Sequence, residues 1–81
     1  MRIRSQLLDA EFAALEDLGP GSDGARSIST RIGKPYLVVW HMLECLEREG
    51  FVRGDWMADS LPGPRRTYSL TEAGRRAVDH A

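Results

Sequence analysis

The chain has 81 residues, 42% of them apolar, with 11 Lys and Arg against 12 Asp and Glu. That length supports one domain over residues 1–81 with one small core, since a fold of this size buries only about 60% of the surface its unfolded chain exposes. It leaves little room for a catalytic cleft. It also lacks the roughly 18 consecutive apolar residues of a membrane span, and its early acidic residues are unlike a targeting peptide, so the expectation is a cytoplasmic, non-enzymatic protein with no membrane partner.

From Ser5 the stretch SQLLDAEFAALEDL places Leu7, Leu8, Phe12, Leu15 and Leu18 at helical spacing, with Ser5 as the N-cap. GPGSDG ends this helix, because glycine tolerates left-handed dihedrals and Pro20 cannot continue the hydrogen-bond ladder. Ala25, Ile28 and Ile32 mark a short second helix, capped by Ser22 or Asp23 and stopped at Gly33. Lys34-Pro35 opens a third, with proline tolerated in the first turn, and Gly50 closes it. On a helical wheel Tyr36, Val39, Trp40, Leu43 and Leu46 share one side, expected to be core, while Leu37, His41, Glu44, Cys45 and Arg48 point away.

FVRGDWM and RTYSL read as two strands, with Val52 and Trp56 on one face of the first and Tyr68 and Leu70 on one face of the second. Thr71 caps a last helix, EAGRRAVDHA, in whose first turn Gly74 is expected to let another backbone approach closely. The core predicted from these periods is Leu8, Phe12, Leu15, Ile28, Ile32, Val39, Leu43, Leu46, Val52, Tyr68 and Leu70, with both tryptophans packed on apolar faces.

The near-neutral total conceals alternating blocks. Residues 1–23 and 42–59 are each net acidic, whereas residues 24–41 carry Arg26, Arg31 and Lys34 with no acid, and residues 60–81 are again basic. Folding that brings the basic blocks to one side creates a face attractive to phosphate on a nominally acidic protein.

Helix, helix, tight turn, helix, two-stranded ribbon and closing helix is the order of a winged helix-turn-helix: mainly α, with a three-helix core, a small β-hairpin wing and a C-terminal helix. From Pro35 onward the chain also resembles the PadR-type winged-helix transcriptional regulators. The resemblance is carried in order by Val39-Trp40, Leu43, Leu46-Glu47, Gly50, Trp56, Pro64-Arg65-Arg66, Tyr68, Leu70-Thr71 and Gly74, and it covers residues 25–78. The helix-turn-helix spacing of the MarR-like families fits from Ile28 to Val52 as well. The resemblance implies a repressor that occupies double-stranded DNA.

In that reading Arg31 and Lys34 hold phosphates near the helix-turn-helix, Tyr36, Leu37, Val38 and His41 face the groove, and Arg65 and Arg66 hold the wing on the backbone. The first turn of the third helix is poor in base-edge donors, although apolar groups there can meet a thymine methyl. The resembled regulators dimerise through helices that follow this domain, whereas this chain stops at Ala81. A homodimer is therefore expected to form mainly through the first helix, with Leu7, Ala14 and Leu18 left for a neighbour and the small side chains of the last helix as a second contact. The alternative is a protein-interaction module that uses the Leu37-Val38 patch.

Other chemistry finds little support. His41 and Cys45 are one turn apart, too few ligands for zinc, and Cys45 alone gives no internal disulfide and reads as a surface thiol. The glycine-rich GPGSDGA lacks the lysine and the preceding strand of a phosphate loop, and Ser, His and Asp occur without a nucleophile elbow. No cofactor is expected.

Overall fold

A computed structural model describes residues 7–57 and 65–79. The first helix, α1, spans Asp9–Leu18. Its start is set by Glu11, whose carboxylate accepts a hydrogen bond from the Leu8 backbone N–H (2.9 Å), satisfying a donor that the helix itself leaves unpaired. Leu8 thus occupies the cap position, and the expected cap, Ser5, lies outside the described residues. This boundary corrects the expected core. Leu7 and Leu8 precede the helix and do not follow its period, so Leu7 is buried while Leu8 is 64% exposed. Ala14, Leu15 and Leu18 are also buried, and Phe12 is half-buried. Leu7, Ala14 and Leu18 therefore complete this chain's own core and do not await a neighbour.

GPGSDG does more than turn the chain. Ser22–Asp23 forms a short strand, β1, antiparallel to the later strand over Arg65–Leu70, with Ser22 opposite Ser69 and Asp23 opposite Tyr68. With Asp23 engaged in that ladder, the N-cap of α2 (Ala25–Ile32) falls to Gly24 and not to Ser22 or Asp23. The Asp23 carboxylate still helps the turn, accepting from the Gly24 N–H at 2.8 Å. Gly33 ends α2 in the left-handed region, at φ 70°, where a side chain is disfavoured. Pro35 follows as the N-cap of α3 (Tyr36–Arg48), one residue ahead of the helix, and its carbonyl accepts from the Val39 N–H. Val39, Leu43 and Leu46 are buried as expected, but Tyr36 and Trp40 are exposed.

Strands β2 (Val52–Met57) and β3 (Arg65–Leu70) pair antiparallel with Val52 opposite Leu70, Gly54 opposite Tyr68 and Trp56 opposite Arg66. The sheet has three strands in the order β1-β3-β2, so the predicted hairpin is present and β1 adds a short third strand to it. Val52 and Tyr68 enter the core together with Phe51, whereas Ile32 and Leu70 pack against it only partly. Trp56 shares the Val52 face but is 66% exposed, which corrects its expected place in the core: the ribbon carries it past the packed layer.

The last helix, α4 (Glu72–Asp79), is fixed by a junction at Phe51. The Phe51 carbonyl accepts from the Thr71 N–H, and the Thr71 hydroxyl both donates to the Gly50 carbonyl (2.6 Å) and accepts from the Gly74 N–H (3.1 Å). A methyl group at position 74 would collide with the Phe51 carbonyl oxygen, so Gly74 is needed for the close approach that its sequence position predicted.

Two stability outcomes follow from this packing. Gly74→Ala, a change that gains about 1 kcal/mol in an exposed helix, is expected here to cost about 1–3 kcal/mol, because a backbone carbonyl must move. Leu43→Ala, which opens a void at a fully buried site, is expected to cost about 2–5 kcal/mol. Denaturant titration of both variants checks this, and a Gly74→Ala protein as stable as the parent would remove the junction from the stability of the fold.

Candidate nucleic-acid interface

The helix-turn-helix consists of α2, the Gly33-Lys34-Pro35 turn and α3. Burial of Val39, Leu43 and Leu46 sends the opposite side of α3 outward. Its N-terminal half exposes Tyr36, Leu37, Val38, Trp40 and His41, and among the hydrophobic ones Leu37 is the most open at 68%. The Trp40 and His41 rings meet edge to face at 5.3 Å. Arg26 on α2 lays its guanidinium over the Tyr36 ring, 4.5 Å from the centroid, and so holds a cation at the edge of this surface. Lys34 stands exposed in the turn, and among the described residues neither Lys34 nor Arg65 makes an ion pair.

The other two predicted cations are already engaged. Arg31 grips Asp17 through Nε and Nη2 at 2.8 Å each and also bonds Asp23, tying α2 to the end of α1 and to β1. These hydrogen bonds, led by Asp17, push its pKa upward. Arg66 is engaged as well, with less of its side chain exposed than that of Arg31. Its Nη2 lies 2.7 Å from both carboxylate oxygens of Glu47 on α3, and Glu44 stands 3.8 Å from its Nε. Its guanidinium carbon sits 5.5 Å from the Trp56 ring centroid and 5.7 Å from that of Tyr68. Arg66 therefore clamps the wing onto α3, while Arg65, the next residue in an alternating strand, points to the other face and is exposed.

The clamp depends on a missing side chain. Gly54 lies beneath the Arg66 guanidinium, where a methyl group would come within 2.6 Å of Nη2, and the Gly54 N–H also donates to Glu47 (3.1 Å). The Arg66 hydrogen bond holds the Glu47 carboxyl below the usual carboxylate range. Tyr68 completes the cluster by donating to Glu44 at 2.8 Å, and burial, reinforced by that bond, pushes its phenol up to about 12.

Pattern reading could not locate Arg26 as a contact to α3 or Trp40 as part of the exposed face. The only signal for Arg26 was the acid-free basic block of residues 24–41. Among the described residues no cluster of three or more His, Cys, Asp or Glu side chains could hold a metal ion, and no helix is long and apolar enough to cross a membrane.

Gly54→Ala should push the Arg66 guanidinium off Glu47 and cost about 1 kcal/mol, with a smaller cost in a Glu47→Gln background. Additive costs in that double-mutant cycle would show that Gly54 and the ion pair act separately. Because the folded state lowers the Glu47 pKa, the unfolded chain takes up the proton first as pH falls. The stabilisation is thus full above the ordinary glutamate value of about 4.3 and is lost below it as pH falls through the folded pKa. Denaturation midpoints across pH 3–6 should fall more steeply for the parent than for Glu47→Gln.

No family model matches the chain, and no curated protein matches it. Solved structures do. Bacillus subtilis PadR, solved in complex with operator DNA, superposes with a TM-score of 0.79 at 18% identity, over 89% of this chain and 45% of that one. A PadR family transcription regulator from hypervirulent Clostridium difficile R20291 gives 0.75 at 16% identity, over 88% of this chain and 80% of that one. The adhesin competence repressor AdcR of Streptococcus pyogenes gives 0.82 at 12% identity, over 94% and 55%. The chain thus spans about half the length of two of these three proteins, and at such identities the likeness is one of fold: the chain adopts the winged helix-turn-helix fold.

Proposed function

We propose that the domain is a transcriptional regulator, a repressor, that binds double-stranded DNA by laying the N-terminal half of α3 in the major groove. The observation that carries this is the exposed Tyr36–His41 surface, bordered by Arg26 and Lys34 within a stretch that contains no acidic residue. The acids of α3, Glu44 and Glu47, come later in the helix and are occupied by Tyr68 and Arg66. PadR of Bacillus subtilis, which shares the fold, was solved with operator DNA and supports the same use of the surface here. Tyr36, Leu37, Val38 and His41 face the bases, and Lys34, Arg26 and Arg65 hold phosphates. Arg31 and Arg66 act by holding α2 and the wing in place, since a phosphate would have to compete with their carboxylates.

Counterion release makes the proposal measurable. Arg26→Ala with Lys34→Ala should weaken binding to every duplex and flatten the dependence of log K on log salt by about two units, roughly 0.9 for each phosphate no longer neutralised. Arg66→Ala should instead lower stability first. A salt-independent interaction, or none, would sink the proposal and favour a protein-interaction module, the second reading, to which the exposed Leu37 and Val38 lend weight.

A homodimer belongs to the same proposal, because one 13-residue helix buries little surface for tight specific binding and a two-fold pair engages half-sites about one helical turn apart. Leu7, Ala14 and Leu18 are not available for it. Among the described residues, the surfaces next to the first and last helices include exposed Leu8 and a shallow cleft of about 240 Å³ between the end of α1 and α4, lined by Gly19, Pro20, Leu70 and Val78. Sedimentation at micromolar concentration should give twice the 9.1 kDa chain mass, reduced by Leu8→Glu or Val78→Glu. A constant 9.1 kDa would exclude the dimer.

A further inference from the structure

The exposed face of α3 has an unusual chemistry for a surface that reads bases. Leu37 is 68% exposed and Val38 48%, and Trp40, three residues after Leu37, is 39% exposed. Neither aliphatic side chain carries a donor or acceptor. No Arg, Asn or Gln stands among residues 36–41, so the bidentate contacts that single out guanine or adenine are absent from this turn. The cations beside it, Arg26 and Lys34, attract phosphate, which fixes register without reading sequence. Charge therefore brings a duplex to the surface, and the surface offers the base edges mainly apolar contact.

The major groove presents one apolar group, the C5-methyl of thymine, and 5-methylcytosine carries the same group at the same position. Resting on the DNA-binding proposal above, we infer that Leu37 and Val38 form a reader of pyrimidine C5-methyl groups, which distinguishes methyl from hydrogen at C5 and accepts thymine and 5-methylcytosine alike. Burying one methyl in such a contact changes affinity by about four-fold, and two contacts by about fifteen-fold.

The test uses the full chain and four duplexes of about 20 base pairs at one salt concentration: alternating AT, the same with deoxyuridine for thymine, alternating CG, and the same with 5-methylcytosine. The expected result is a roughly fifteen-fold loss from thymine to deoxyuridine and a comparable gain from cytosine to 5-methylcytosine. Both differences should vanish in Leu37→Ala with Val38→Ala, while the salt slope stays that of the parent. Both sites are exposed, so these variants keep the parent's thermal midpoint. Equal affinity for methylated and unmethylated duplexes, with salt-dependent binding intact, would overturn the methyl reader and leave the DNA-binding proposal standing. Absence of salt-dependent binding to all four would overturn both.

Discussion

One ion pair ties the wing to α3. Glu47 reaches out from the last turn of α3, Arg66 reaches back from β3, and two hydrogen bonds of 2.7 Å join them above Gly54. The pair is only partly shielded, with about a quarter of each side chain accessible. Both bonds come from Nη2, and the guanidinium carbon lies 5.5 Å from the Trp56 and 5.7 Å from the Tyr68 ring centroid, so the charge is held between α3 and the two strands. Arg31 does the equivalent on the other side of the fold, joining α2 to Asp17 and Asp23. Arg31 and Arg66 are thus engaged within the fold, while Lys34 and Arg65 make no ion pair among the described residues.

Much of this was legible in the sequence where the signal was local. The glycine stop at Gly33, the Thr71 cap, the tight approach at Gly74 and the buried Val39-Leu43-Leu46 stripe each depend on a few neighbouring residues, and each is found as expected. The errors fall where a long-range contact overrides a local period. Ser22-Asp23 reads as a helix cap, yet pairing with Ser69 and Tyr68 takes its backbone into a sheet. Leu8 fits a helical repeat, yet the Glu11 carboxylate starts the helix one residue after it and leaves it exposed. Periodicity also cannot tell a helix's buried stripe from its margins, so Tyr36 and Trp40 read as core although both lie exposed beside it. The guanidinium destinations of Arg31 and Arg66, set by partners 14 and 19 residues away, carried no sequence signal.

The candidate site was less legible than the fold for the same reason. Its sequence-visible part, the acid-free block of residues 24–41, marks a basic region but cannot say which of its cations remain unpaired. Folding resolves that by neutralising Arg31 and placing Arg26 over Tyr36. The result is a modest positive border around an apolar turn, a surface suited to docking in a groove whose walls are phosphate and whose floor includes methyl groups.

The most direct test of that surface is residue-by-residue mapping. Backbone amide shifts of the ¹⁵N-labelled protein, followed as a duplex is added at low salt, should move at Arg26, at Lys34 and Tyr36 through His41, and at Arg65, while the Arg66 Nε–H signal stays put because Glu47 retains its partner. Shifts confined to the cleft between α1 and α4, or no shifts at saturating duplex, would contradict the placement of DNA on α3.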